Sequence, residues 1–402
     1  MFEKRLLCGV GSMVGLVFCG LGVISAGVVF AGPMGAAGDL YVVDGGFITE
    51  VDSVTGEVVG HFVTSEMFGP SDARFGPNGH LFLAEEATNS INEFDGQTGT
   101  IIRSFTRETF GPSSIRFESN GNLIVYEIDP NVISEFDRTG EYLGTFASGG
   151  LSGSHINFGP DGNLYASNTT GSYIQRFDAD GNDLGIFASG GGLDRPFDHD
   201  FGPNGNLYVC SYVSNEVIEY DGKTGALVGT FISTHLDRPK GIVFAPDGDL
   251  WVSNGGGSSD INRFDGTTGE WLQQVTGFIG PGSITVKPEP CLVMTVSPLI
   301  SGQSATWDVN GATAGARVAV AYGFTIGTTI VSDQLGFCAS FGIDGASENK
   351  LIGTAVADGT GHATVHMRLS KRVSGLTLIT QAAEQGTCPA ECISNYDKQV
   401  VQ

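Results

Sequence analysis

Basic residues are scarce in this chain: 20 lysines and arginines stand against 44 aspartates and glutamates, a formal net charge of −24 at pH 7. A phosphate backbone or an anionic membrane surface needs a basic face to bind to, so the balance excludes nucleic acid and acidic lipid as main partners. Proline is sparse too, 15 residues beside 61 glycines, and no three-residue period runs through them, which excludes a collagen-like rod. After residue 31 no second long apolar run appears, and the end, 397–402, is not a hydrophobic tail. The mature chain is therefore expected to have no membrane span. Hydrophobic residues make up 41% and aromatics 10%, enough for a packed core and too much for a disordered chain. Abundant glycine with many aromatics points to an all-β protein with many tight turns. A length of 402 residues suggests two or three domains.

Lys4 and Arg5 precede an uncharged stretch from Leu6 to Ala31, followed by Gly32 and Pro33. A short basic start, an apolar run and small residues at its end describe a secretory signal over 1–31. Val29 and Ala31 suit cleavage after Ala31; Ile24 and Ala26 offer a second position. The protein is thus expected to be secreted, periplasmic or at the cell surface. Cys8 and Cys19 leave with the signal. Cys291, Cys338, Cys388 and Cys392 cluster in the last quarter of the chain and are expected to form two disulfides, with the pairing open. Their spacing suits zinc poorly. Cys210 sits in the strand pattern Leu207-Tyr208-Val209-Cys210 and reads as a buried thiol.

Comparing the chain with itself gives the strongest signal. FGPNGHLFLA (75–84) returns as FESNGNLIVY (117–126), FGPDGNLYAS (158–167), FGPNGNLYVC (201–210) and FAPDGDLWVS (244–253), with a degenerate first copy, AAGDLYVVD (36–44). The shared leucines, Leu40, Leu81, Leu123, Leu164, Leu207 and Leu250, lie 41 to 43 residues apart. A period near 40 carrying several short strands marks propeller blades. In the copy around 160, strand A is expected at 154–158, B at 163–167, C at 173–177 and D at 183–187. Asp-Gly and Asn-Gly steps between strands supply the positive φ of tight hairpins. The first copy lacks a strand A, and GPGSITV (280–286) matches GPSSIRF (111–117) with no partner strands after it. Residues 282–286 are therefore expected to complete the first blade and close a six-bladed ring over 38–286.

These units resemble NHL-type repeats and are also similar to the repeats of streptogramin lyases and of gluconolactonase-like propellers. The likeness specifies architecture; one fold hosts many functions.

In such blades the A–B and C–D turns share one face of the disc and are nearly uniform here. The B–C and D–A connections share the other and vary from copy to copy, and variable loops on a rigid scaffold are where ligands bind. Strand B ends in a ring of polar residues: Asp44, Glu85, Glu127, Asn168, Ser211 and Asn254. Such oxygens could hold calcium or magnesium, with Glu85 and Glu127 the metal candidates; equally, they could cap the following turns. On the strand-A lead-ins, parity puts Asp72 with Arg74, His155 with Asn157, and Asp198 with Asp200 on one side. His155 or His199 could act as a general base oriented by Asp198 or Glu127. His199, in a slot filled elsewhere by alanine or isoleucine, reads first as a core histidine. Arg74 and Arg116 could bind an anion or pair with neighbouring acids. Lys240 is a further ligand-binding candidate. Asp178 to Asn182 resembles the start of a calcium loop but occupies a C–D turn position, and is read as a turn.

The streptogramin-lyase resemblance implies a glutamate at a strand-B end, matched by Glu85 and Glu127, and a histidine on a strand-A lead-in, matched by His155. Those rings have seven blades against six here. The gluconolactonase resemblance implies metal-binding Asn or Asp after the strand-A proline, where this chain has Ser71, Ser113, Phe197, Lys240 and Gly282.

Residues 287–290 (KPEP) form a stiff linker, and 291–402 carry strand patterns at 305–309, 317–322, 350–356, 363–369 and 377–382. A β-sandwich similar to small bacterial Ig-like modules is expected. The favoured reading is a secreted, non-catalytic protein that binds an extracellular ligand or protein on the varied propeller face. The alternative is a metal-assisted lyase or hydrolase with its site at the channel mouth.

Overall fold

The computed structural model describes residues 35–63, 67–105, 111–118, 120–153 and 155–288, then 293–296, 303–310, 317–323, 326–330, 340–343, 350–358, 362–368, 377–384 and 397–400. Every regular element among them is a β-strand. No helix of the described residues is long and apolar enough to cross a membrane. The expected signal, the second half of the linker, and Cys291, Cys338, Cys388 and Cys392 lie outside the described residues, while Cys210 is a buried free thiol.

Six four-stranded antiparallel sheets make the blades. Their A strands are Pro281–Val286, Pro70–Phe75, Pro112–Phe117, Ile156–Phe158, Pro196–Phe201 and Pro239–Phe244 for blades 1 to 6, and they contact one another in sequence around the axis. Blade 1 is closed as its sequence demanded: Pro281–Val286 pairs with Leu40–Asp44, with Leu40 opposite Val286 and Val42 opposite Ile284. Gly38 and Lys287 then extend that pairing by a backbone hydrogen bond of 2.8 Å. The remaining blade-5 strands, Leu207–Ser211, Glu216–Tyr220 and Leu227–Ile232, typify the set. In blade 4 strand A is shorter than the expected 154–158, with Ser154 outside the described residues.

The repeated aromatics explain how blades adhere. The residue after the shared leucine meets the phenylalanine ending strand A of the next blade edge-to-face: Tyr41 on Phe75 at 4.9 Å, Phe82 on Phe117 at 4.9 Å, Tyr165 on Phe201 at 5.0 Å and Tyr208 on Phe244 at 5.1 Å. Each such pair contributes roughly 0.5–1.5 kcal/mol beyond its buried area. The turns explain much of the acid. Asp52, Asp95, Asp137, Asp178, Asp221 and Asp265 each open a C–D turn and accept backbone N–H groups from it. Asp178 to Asn182 is such a turn, with the Asn182 amide 2.8 Å from Asp178 Oδ1. Gly222 follows one of these aspartates because a Cβ there would stand 1.7 Å from the Gly205 carbonyl oxygen.

The C-terminal strands form a three-stranded antiparallel sheet of Val293–Val296, Ser304–Asn310 and Ala363–Arg368. A second sheet holds Lys350–Val356, Arg317–Gly323, Thr377–Glu384 and Asp397–Val400, and Ile326–Ile330 pairs with Ser340–Ile343. All five expected strands are present, and the other four lack strong alternation. Trp307, Val309, Val318, Val320 and Val365 are buried.

Because one strand of blade 1 comes from the far end of the repeat array, ring closure depends on its core-facing apolar residue, Ile284, fully buried against Leu40, Val42 and Trp251. Ile284→Ala is expected to lower the stability of the propeller by about 2–4 kcal/mol, through lost burial and a cavity at the seam. Urea unfolding followed by tryptophan fluorescence measures it; a change below about 0.5 kcal/mol would mean that the seam does not govern unfolding.

Candidate functional site

Six A strands around one axis direct alternate side chains into the centre. The resulting upper ring is Asp72, Ser114, His155, Asp198, Gly241 and Ser283, and the lower ring is Arg74, Arg116, Asn157, Asp200, Val243 and Thr285. The parity expected for Asp72 with Arg74, His155 with Asn157 and Asp198 with Asp200 thus holds.

These side chains bind one another across the axis. Asp72 Oδ2 accepts from Arg116 Nη1 at 2.7 Å, Ser114 Oγ at 2.8 Å and the Ile115 amide at 3.0 Å, while Ser283 Oγ donates to Oδ1 at 2.5 Å. Arg74 Nη2 stands 3.4 Å from both Asp72 and Asp198, reaching from blade 2 to the opposite blade 5. Arg116 Nη2 is 3.6 Å from Asp198. The remaining donors meet carbonyls and amides: Arg74 Nη1 the Ile284 carbonyl at 2.6 Å, Arg116 Nη1 the Ile115 carbonyl at 2.7 Å, and Arg116 Nε Asn157 Oδ1 at 3.0 Å. Two carboxylates and two guanidiniums neutralise each other. Of the two roles open to Arg74 and Arg116, pairing with acids is the one the geometry realises.

The electrostatics follow. Burial alone would raise Asp72, but Arg74 and Arg116 overcome it and hold the carboxyl well below the usual carboxylate range. Burial, with Arg74 beside it, pushes Arg116 down against the pull of Asp72 and Asp198. Among the described residues Asp200 forms no ion pair. Burial raises it to about 6, although the Phe244 and Phe201 amides donate to it at 3.1 and 2.9 Å.

The histidines are core groups. Ser167 Oγ donates to the Phe197 carbonyl at 2.5 Å, so the proton between Ser167 Oγ and His199 Nδ1, 2.9 Å apart, belongs to the imidazole. Its other nitrogen is buried, and burial pushes His199 down to about 3. Burial also lowers His155, more than Asp198 and Asp72 raise it. An imidazole so shifted is a weak proton acceptor at neutral pH, where a general base works best with a pKa near the working pH.

The strand-B ring mostly caps turns. Asp44 accepts the Ile279 and Gly280 amides at 2.7 and 2.8 Å. Asn168 accepts the Gly171 amide and donates to the Gly150 carbonyl, both at 2.7 Å. Ser211 takes the Asp194 amide at 2.9 Å, and Asn254 the Asp237 amide at 2.9 Å. Glu85 accepts from Thr88 Oγ1 at 2.9 Å, and Glu127 is buried opposite Pro112 and Val132. Among the described residues no three Asp, Glu, His or Cys side chains gather at metal-binding distance. Glu85 and Glu127 are thus not joined by a third such side chain among the described residues. Lys240 lies half-buried with its alkyl stem across Gly255.

Sequence reasoning missed a group on the varied face. Arg195 and Arg238 lie over the Tyr212 ring at 5.6 and 5.9 Å from its centroid, and Phe197 stacks on that ring at 4.7 Å. The visible signal was the replacement of Gly-Pro (69–70, 111–112, 280–281) by Arg-Pro at 195–196 and 238–239.

No family model matches this chain, and no curated protein does. Solved structures do. A Bacteroides caccae protein of unknown function is 16% identical, covers 62% of this chain and 99% of its own, and superposes with a TM-score of 0.53. A chain of a nidogen–laminin complex is 14% identical over 62% of this chain and 98% of its own, with a TM-score of 0.54. Virginiamycin B lyase from Staphylococcus aureus is 16% identical over 67% and 91%, with a TM-score of 0.47. The propellers of the first two share this fold.

Asp200 carries a pH signature. Its folded value, about 6, lies above its ordinary 3.8, so the folded state holds the proton more tightly. The contribution is complete below pH ~4 and is lost as pH rises through ~6. Between pH 4 and 7 the wild type is expected to lose on the order of 2–3 kcal/mol relative to Asp200→Asn. Denaturation of both proteins across that range reads the difference; parallel curves would contradict a buried, proton-holding Asp200.

Proposed function

We propose that this is an exported, non-catalytic binding protein whose varied propeller face contacts its partner. One observation carries the reading: the axis is closed by charges that satisfy each other, while the varied face leaves large apolar side chains in solvent. Phe68, Ile128, Val213 and Ile279 are 56%, 39%, 48% and 68% exposed on B–C and D–A connections of four blades. Apolar and aromatic groups on a rigid loop face provide what a partner buries on association. The residues that a lyase or hydrolase would need work elsewhere in this chain: Asp198 neutralises arginines, and His155 and His199 sit in the core with lowered basicity. Export rests on the basic start and apolar run of residues 1–31.

Photo-crosslinking tests the face. A photoreactive amino acid at Ile128 or Ile279 is expected to capture a partner at the exterior of the producing cell. The same group at Val54, 74% exposed on the opposite face, is expected to capture none. Capture from Val54 alone would refute the assignment.

A further inference from the structure

We propose that Arg195 and Arg238, with Tyr212, Phe197 and Val213, form a binding site for an acidic segment of a protein partner, two carboxylates meeting the guanidiniums and an apolar side chain meeting Val213. The inference rests on the varied face being the binding face and names the chemistry it recognises.

Gly69 and Gly111 lead into strand A with φ of 65°, and their carbonyls accept the amides of Glu86 at 3.0 Å and Ile128 at 3.1 Å. Arg195 and Arg238 occupy the same place with φ of 54° and 55°, and their carbonyls accept the Tyr212 and Gly255 amides at 3.3 and 3.0 Å. The amide side is shared as well: Asn89 Oδ1 takes the Gly111 amide at 2.7 Å, and Asn215 Oδ1 the Arg238 amide at 2.7 Å. Glycine meets every architectural demand of this position without strain, whereas a side chain in the left-handed region costs about 1 kcal/mol or more. The arginine side chains are thus surplus to the fold, and persistent strain of this kind points to function.

Inside the molecule the guanidiniums meet the Tyr212 ring. Among the described residues, neither forms an ion pair. The acids next to them in sequence are Asp194 and Asp237, and Asp237 is engaged by the Ser258 amide at 3.1 Å. In a propeller with 34 acids and 12 bases, two exposed cations from adjacent blades converge on one aromatic ring, with Lys240 close behind in sequence. Guanidinium forks match carboxylates in pairs, and arginine with tyrosine is the composition of protein-binding hot spots. Val213 beside them, 48% exposed, favours a peptide over a purely ionic ligand.

The test uses the full chain, a fluorescent peptide of alternating glutamate and leucine, and polygalacturonate as a non-protein polycarboxylate. Arg195→Gly/Arg238→Gly restores the residue used in blades 2 and 3, so its melting temperature is expected to equal or exceed that of the wild type. Peptide affinity is expected to fall at least about tenfold, as for two lost charge-assisted contacts. Lys223→Ala, which removes an exposed cation from the opposite face, is expected to leave affinity unchanged. Equal binding by the glycine variant, no peptide binding by the wild type, or binding of polygalacturonate in preference to peptide would each overturn the proposal. If Ile128 and Ile279 still capture a partner when the peptide fails, only this site is lost; if they do not, the reading of the face falls with it.

Discussion

A closed ring of six sheets leaves a hole along its axis, and here the hole is filled by two carboxylates and two guanidiniums from three blades. Buried charge is tolerated only when paired and fully hydrogen-bonded. Asp72 meets that condition with Arg116, Ser114, Ser283 and a backbone amide, so one side chain joins blades 1, 2 and 3. Asp198 does the same for the other side, taking Arg74 and Arg116 from across the ring and the Ile242 amide of blade 6 at 3.4 Å. Blade number and blade order are thereby coupled to charge: a ring of another size would separate partners that are 124 residues apart in the chain.

That constraint decides what the rest of the molecule is free to do. With the axis satisfied internally, the groups that suggested catalysis become structural, and the histidines lose basicity through burial. Part of the acid serves the fold directly, as aspartates in C–D turns and in pairs within blades, such as Glu93 with His80 and Arg103, and Asp249 with Arg263. What the fold leaves unassigned on the loop face is a set of exposed apolar residues and two strained arginines.

Much of the fold was legible because it is periodic. Leucine spacing, Asp-Gly turns and the stray strand at 280–286 are local signals, and they specified blade count and closure. Strand parity also put Asp72 with Arg74, and Asp198 with Asp200, on one side of their strands, which the closed ring turns toward the axis. It could not say that Arg74 reaches Asp198, because that contact depends on blades 2 and 5 being diametrically opposed, a property of the closed ring. The strand-B ring looked alike for metal binding and for capping; only backbone geometry distinguished the amides bound by Asp44 and Asn254. Arg195 and Arg238 were overlooked because a blade-by-blade reading weighs conserved pattern, and their signal was a departure from it. In the C-terminal region the four unforeseen strands, among them Val293–Val296 and Asp397–Val400, are only four or five residues long, too short for alternation to stand out.

The central claim is that Asp72 and Arg116 stabilise the ring as a pair. A double-mutant cycle with Asp72→Asn, Arg116→Gln and the double variant, measured by chemical denaturation at pH 7, tests it most directly. The account predicts a coupling of at least about 1.5 kcal/mol, the double variant being far less damaged than the two single variants combined. Additive losses, with coupling near zero, would contradict it.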